Sequence, residues 1–258
     1  MKLKIDAITE ADYQVLNGCI PKYYGKDNYV SLDKKYRLGL TYMGEYRFGD
    51  AFYYGKIINT ESNETVWEHN KGDYIRAISN YPWSIDSKTC YFSLVEKGNQ
   101  IVFVDMDSGK MEMIYSGNYT ERRLNWISFI PESFLGIIFY SCLYKSDNIN
   151  EYEYYCYLKK TDELILLNDF CSFQIAGVAE SPLENCLFIF SSNAIYNFNM
   201  QKREPELVLE LESDKQLLSQ RSSISLIKNK KLLLVSLLDS SKEWVYHTIK
   251  LSDYETNI

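Results

Sequence analysis

One rhythm constrains this 258-residue chain more than any other feature. A strand-forming run preceded by a polar turn recurs five times at near-constant spacing. The runs are YRLGLTY from Tyr36, TCYFSLV from Thr89, IIFYSCLY from Ile137, CLFIFSS from Cys186 and KLLLVSLL from Lys231. By subtraction, those starting positions are 53, 48, 49 and 45 residues apart. The turns LDKK, IDSK, PESFLG, SPLEN and KNK precede them, and a second β-prone run follows each: AFYYGKII, QIVFVDM, EYYCYLK, NAIYNFNM and WVYHTIK. Further polar turns, ESNE, DSGK, KTDE, QKRE and LSD, close these second runs. Short strand-formers punctuated by Gly, Asp, Asn and Ser predict antiparallel meanders.

Four strands in about 40 residues make one propeller blade. The repeat therefore predicts an all-β fold, a five-bladed β-propeller occupying 1–258 as a single domain. The blades are expected near 28–70, 74–118, 122–169, 172–213 and 221–258. After WVYHTIKLSD too little chain remains for an outer strand, whereas KLKIDAI at the other end alternates apolar and polar residues. The N-terminal strand 2–8 is thus expected to complete the last blade and close the ring, which hides reactive edges. Inner strands covered on both faces should be apolar almost throughout, as LLLVSLL and CLFIF are. In the outer run ELVLELE, Leu207, Leu209 and Leu211 are expected on one face and Glu206, Glu210 and Glu212 on the other, with Val208 the exception.

The stretch PWSIDSKTCYFS, followed by IVFVDMDSGK, resembles the repeat of TolB-type, WD-repeat-like β-propellers. In that family a Trp-Ser-Pro-Asp-Gly-Lys hairpin joins the first two strands and an Asp-x-x-Gly turn closes the third. Trp83, Ser84, Asp86 and Lys88 match, while Ile85 replaces the Pro and Ser87 the Gly. The second blade carries the motif best, SLDKKYRLGL in the first is fainter, and the other three keep only the rhythm. The resemblance implies architecture, because such repeats serve many functions.

Composition narrows the partners. Asp and Glu number 35 against 28 Lys and Arg, a formal charge of −7. A phosphate-binding surface needs the opposite sign, so no nucleic acid is expected, and a basic protein is the better electrostatic match. No apolar run reaches the roughly 18 residues of a membrane span, and MKLKIDAITEADYQ lacks a signal-peptide core, so a cytoplasmic protein with no membrane partner is expected. Cys19, Cys90, Cys142, Cys156, Cys171 and Cys186 are scattered, and His69 and His247 are the two histidines. That pattern predicts reduced core thiols, no metal and no cofactor.

Two sets of residues are candidates for function. On the polar segments PKYYGKD, MGEYRFGD and NYTERR, Tyr23, Tyr24, Tyr46, Arg47, Phe48, Tyr119, Arg122 and Arg123 have the chemistry of a protein-binding face. YKSDNINEYEYY reads as a further long loop. In propellers the outer-to-inner connections gather around the channel, and here each carries an acid: Asp27, Asp73, Glu121, Asp169 and Asp214. Five-bladed propellers include arabinanase-like glycoside hydrolases, which place carboxylates there, although the residues around these acids do not match that family's motifs. Asp33 and Asp86 are expected to cap their own hairpins, and Trp83 and Trp126 to wedge between blades. With few catalytic groups and an acidic surface, the sequence points to a non-enzymatic protein-binding propeller. Its specific form is an immunity or inhibitor protein neutralising a basic toxin or enzyme domain. The alternative is a carbohydrate-active propeller, a glycoside hydrolase or lectin, using the channel-face acids.

Overall fold

The computed structural model describes residues 5–17, 29–45, 51–69, 74–75, 82–84, 86–94, 99–117, 122–129, 136–144, 150–181, 183, 185–210, 223–227, 231–238 and 243–251. Along 122–129 and 223–227 the description is of backbone alone. The described chain is all β apart from one α-helix and one 3-10 turn.

In chain order the elements are β1 (Ile5–Ile8), α1 (Glu10–Asn17), β2 (Tyr36–Glu45), β3 (Ala51–Asn59) and β4 (Thr65–Glu68). Next come β5 (Thr89–Leu94), β6 (Asn99–Asp105), β7 (Met111–Gly117), β8 (Arg122–Phe129), β9 (Gly136–Tyr144), β10 (Asn150–Leu158) and β11 (Glu163–Leu166). The remainder are β12 (Gly177–Glu180), β13 (Cys186–Phe190), β14 (Ala194–Asn199), β15 (Glu204–Glu210), β16 (Ser223–Ile227), β17 (Leu232–Leu238) and β18 (Trp244–Lys250).

These strands form five antiparallel sheets in the orders β2-β3-β4, β5-β6-β7, β8-β9-β10-β11, β12-β13-β14-β15 and β16-β17-β18-β1. The first two gain a short inner segment, through bridges of Val30 to Arg37 and Trp83 to Cys90. β1 pairs with β18 from Ile5↔Ile249 to Ile8↔Tyr246, so the N-terminal strand does complete the last sheet. The chain divides into two compact units: Tyr23–Ile165, and Met1–Lys22 with Leu166–Ile258.

The repeat seen in the sequence reappears as repeated hydrogen bonds. The carbonyl of the residue before the second strand accepts an N–H from just beyond the third, and it does so in four sheets. The pairs are Thr60 to Lys35 (2.8 Å), Met106 to Lys88 (2.9 Å), Met200 to Asn185 (2.8 Å) and Leu251 to Lys231 (2.8 Å). The hairpins after the third strand share a second device, a left-handed residue four positions beyond the strand end. Those residues are Asn63, Gly109, Asp162 and Arg203, with φ of 58°, 67°, 53° and 57°. Three of these turns begin with Asn59, Asp105 or Asn199, whose side-chain oxygens accept backbone N–H groups of the turn. An Asx side chain holding its own turn makes this geometry cheap.

Each unit has its own core. In the first, Leu38, Ile57, Trp67, Ile75, Trp83, Phe92, Val102 and Val104 form one buried cluster across the first two sheets. Trp83 is fully buried, as expected of a wedge, and Tyr36 stacks on it with ring centroids 6.2 Å apart. In the second, Phe188, Phe190, Ile195, Leu233, Val235 and Ile249 do the same for the last two sheets. β5 and β13 are buried at every position, the pattern of strands covered on both faces.

Three details depart from the sequence reading. The outer strand β15 does not alternate as expected: Leu207 is 48% exposed while Val208 and Leu209 are both buried. The cause is a bulge. Ile195 faces Leu209 and the adjacent Tyr196 faces Leu207, leaving Val208 as the extra residue and shifting the phase of the strand. YKSDNINEYEYY is mostly strand, since β10 starts at Asn150 and pairs in register with β9 down to Leu158↔Gly136. Finally, the segment after β1 contains a helix. Thr9 caps it, its Oγ1 accepting the Asp12 N–H (3.1 Å) and its hydroxyl donating to the Asp12 carboxylate (2.7 Å). Tyr13 then packs on Tyr246 of β18 with ring centroids 4.3 Å apart.

Candidate functional site

The two aspartates at the first hairpins are structural, and both make the same knot. The Ser84 hydroxyl donates to Asp86 (2.6 Å), Asp86 accepts the Lys88 N–H (3.1 Å), and the Ser84 oxygen accepts the Thr89 N–H (2.9 Å). Ser31, Asp33, Lys35 and Tyr36 reproduce it at 2.7, 3.0 and 3.0 Å. The Asp33 N–H also donates to the Ser87 hydroxyl (3.1 Å), tying the two hairpins together.

Burial opposes ionisation of Asp33, but the Ser31 hydroxyl, the Lys35 N–H and the Lys35 charge outweigh it and hold the carboxyl below its ordinary value. Asp105 is held low in the same way, its burial outweighed by the Ser108 N–H and hydroxyl and by Lys159. A carboxyl whose folded value lies below its unfolded one, about 3.9, adds stability above that pH and loses it as pH falls through the folded value. Melting temperature measured from about pH 5 to 2.5 should therefore fall less steeply in Asp33→Asn and Asp105→Asn than in the parent. An unchanged slope would remove these groups from the acid response.

Most residues singled out as a binding face lie outside the described residues: Tyr23, Tyr24, Tyr46, Arg47, Phe48 and Tyr119. Arg122 and Arg123 are in a strand rather than a loop, as the first residues of β8, opposite Leu143 and Cys142. Among the acids, Asp27, Asp73, Glu121 and Asp214 also lie outside the described residues. Asp169 is exposed, in the 3-10 turn Leu167–Phe170.

What is described is the sheet end from which three of these segments depart. Tyr29 follows segment 21–27, β2 and β3 flank 46–50, and Tyr74 follows 70–73. Tyr29 reaches Tyr53, and burial followed by that neighbour raises the Tyr29 hydroxyl. Tyr53 faces Tyr42 across the strand pair with ring centroids 6.0 Å apart, edge to face. Phe52, on the opposite face of β3, meets Tyr74 at 4.7 Å, also edge to face. Ile75 anchors the returning chain by exchanging both backbone hydrogen bonds with Tyr53 (2.8 and 2.9 Å).

A bulge shapes this end. The register jumps from Tyr42↔Tyr53 to Gly44↔Phe52, leaving Met43 as the extra residue. Gly44 has φ +150°, a backbone conformation that favours glycine, and a Cβ there would lie 2.9 Å from Phe52 Cζ, so any other residue would be strained and would displace that ring. The bulge leaves Tyr42 56% and Met43 50% exposed at the rim. Sequence reasoning chose the loops but missed their aromatic base, although FYY at 52–54 after a Gly-containing strand end was its signal.

A second aromatic cluster joins the second and third sheets. Tyr155 stacks on Phe139 and packs on Tyr115, all with centroids between 5.0 and 5.4 Å, and its hydroxyl donates to Glu153 (2.7 Å). Burial and then the Glu153 hydrogen bond push the Tyr155 hydroxyl well up. Burial likewise raises Tyr91 and Tyr157, lifts Cys90 far above its ordinary value and pushes Cys156 up to about 12. These thiols are core side chains with little thiolate character. The folded values exceed the unfolded ones, about 8.5 for Cys and 10 for Tyr. Their contribution is thus complete below those values and lost as pH rises above them. Melting temperature should drop steadily above about pH 9, and a flat profile to pH 11 would contradict it.

No protein-family model matches the sequence, and no curated protein matches it. Solved structures do. The chain is similar to an oligogalacturonate lyase in complex with manganese, with 12% identity and a TM-score of 0.53, covering 87% of this chain and 64% of that one. It is also similar to dipeptidyl peptidase 4 of Porphyromonas gingivalis, with 11% identity and a TM-score of 0.54, covering 81% of this chain and 36% of that one. The chain therefore spans less than two thirds of either protein. Both are enzymes on β-propeller folds, which stands against the expectation of a non-enzymatic, protein-binding immunity propeller, and that expectation is corrected. At such low identity the likeness shows a fold: this is an all-β chain of propeller type.

Proposed function

We propose that the chain is a carbohydrate-active β-propeller of five blades, with the TolB-like repeat of the second blade as its local signature. In this reading the five sheets are the blades, and β1 joined to β18 closes the ring. The glycan is held at the end of the sheets where the outer-to-inner connections run. The observation that carries the proposal is the fold shared with an oligogalacturonate lyase over 87% of the chain. Asp27, Asp73, Glu121, Asp169 and Asp214 belong to those connections. A pair of them flanking a glycosidic bond would serve as acid and as base or nucleophile.

The test is calorimetric titration of the protein with neutral oligosaccharides and with oligogalacturonate, followed by product analysis after incubation. Saturable binding with bond cleavage supports the hydrolytic form, and binding without cleavage leaves a lectin. Absence of heat and of product with every sugar would overturn the proposal.

A further inference from the structure

We infer that Tyr115 and Tyr155 form an oxidative modification site, at which a one-electron oxidant joins the two rings through a carbon–carbon bond and staples the second sheet to the third. Both tyrosines belong to the unit Tyr23–Ile165 but to different sheets, Tyr115 on β7 and Tyr155 on β10. Their ring centroids are 5.0 Å apart, and their hydroxyls lie within hydrogen-bond reach of each other. Coupling joins the ring carbons beside the hydroxyls, so contact between the hydroxyls brings the reacting edges together. Local architecture fixes both rings. Gly117 lies two residues beyond Tyr115 on the same face of β7. A Cβ there would stand 2.9 Å from both Cε1 and the hydroxyl oxygen of Tyr115, so the ring occupies the space a side chain would fill. Tyr155 is buried and stacks on Phe139 at 5.0 Å and 13°, while Phe139 meets Tyr115 edge to face at 5.4 Å. Three rings hold one another, and coupling needs little further ordering.

The hydrogen bond to Glu153 directs oxidation to this pair. Removing an electron from a phenol makes its hydroxyl strongly acidic, so the loss is easy only where a base takes the proton. Burial and Glu153 keep the Tyr155 hydroxyl protonated beforehand, and the Glu153 carboxylate, 2.7 Å away, is placed to accept that proton as the electron leaves. Two equivalents of oxidant each take one electron. The Tyr155 proton passes to Glu153, and the Tyr115 proton passes to water at that partly exposed ring. The two radicals pair their electrons in the new bond, and the hydrogens on the bonded carbons move to the oxygens, restoring two phenols. Tyr54 and Tyr157 also donate to carboxylates, of Glu68 and Asp162. Tyr54 packs on His69 and Tyr157 on Phe103, rings without the phenol that coupling needs.

The experiment illuminates dilute protein with ruthenium trisbipyridine and persulfate, a source of one-electron oxidant, and maps the cross-links by peptide mass spectrometry. The expected product is an intramolecular pair of peptides containing Tyr115 and Tyr155, lighter than their sum by two hydrogen atoms. Tyr155→Phe should abolish it. Glu153→Gln should lower its yield about tenfold by removing the proton acceptor, and Gly117→Ala should lower it by displacing the Tyr115 ring. Circular dichroism establishes that each variant is folded. Tyr155→Phe and Glu153→Gln keep the size and shape of the side chains they replace, and they carry the test if Gly117→Ala does not fold. Coupling of either tyrosine to another residue, or cross-linking of Tyr13 to Tyr246 (centroids 4.3 Å apart) in place of this pair, would overturn the site. So would a yield unchanged in Glu153→Gln.

Discussion

Trp83→Ala is expected to destabilise the unit Tyr23–Ile165 by about 3–5 kcal/mol, the range for emptying a buried aromatic site. The side chain is completely buried and touches a core contributed by both of the first two sheets. Those sheets are locked by backbone ladders, so the surroundings can collapse only partly into the space. Trp83→Phe separates two terms. The indole Nε1 has no hydrogen-bond partner among the described residues, and an unsatisfied buried N–H is itself unfavourable by about 1–3 kcal/mol. Phenylalanine gives up volume but also discards that group, so its loss should be well under half that of alanine. Thermal or denaturant unfolding followed by tryptophan-independent circular dichroism reads both. Equal losses for Phe and Ala would mean that the indole N–H is satisfied and that its contribution is specific.

Gly109→Ala should cost about 2 kcal/mol, from two sources that a second variant distinguishes. Gly109 has φ +67°, and a Cβ there would stand 2.8 Å from the Val66 carbonyl oxygen of β4. Asparagine tolerates the left-handed region, as Asn63 does at the matching position of the first sheet, but it brings the same Cβ. Gly109→Asn should therefore recover only part of the loss. Full recovery would show that the neighbouring strand yields easily. Arg203 and Asp162 hold the matching left-handed positions elsewhere, so the turn alone does not demand glycine, and the close approach of β4 is what sets this position apart.

Why some of this could be read in advance follows from the range of the interactions. The turn knots at Ser31–Tyr36 and Ser84–Thr89 involve residues within five positions of one another, and their Ser and Asp were visible as a pattern. The apolar run of β13 announced burial on both faces. The bulge at Val208 depends on how β15 meets β14, and nothing in ELVLELE alone specifies it. Helix α1 was also legible, since Thr9 and Asp12 form a capping signal directly after the alternating run KLKIDAI. At the candidate site, polarity marked the segments that leave the first sheet. The exposure of Tyr42 was not legible, because it follows from a register jump fixed by the partner strand.

The pairing of Ile5 with Ile249 has a consequence for the order of assembly. During synthesis β1 emerges before the intervening sheets and its partner β18 after them, so the strand must wait, unpaired, while they form. Its pairing joins Ile5 to Ile249 across all the intervening sheets, a contact of large sequence separation whose loop-closure entropy must be met before the pairing rewards it. Completion of the last sheet is then expected among the late steps of folding, and until it is made β18 presents an open edge to any neighbouring chain. Tyr13 and the capped helix that holds it against Tyr246 follow β1 directly, so the latch arrives together with the strand it secures.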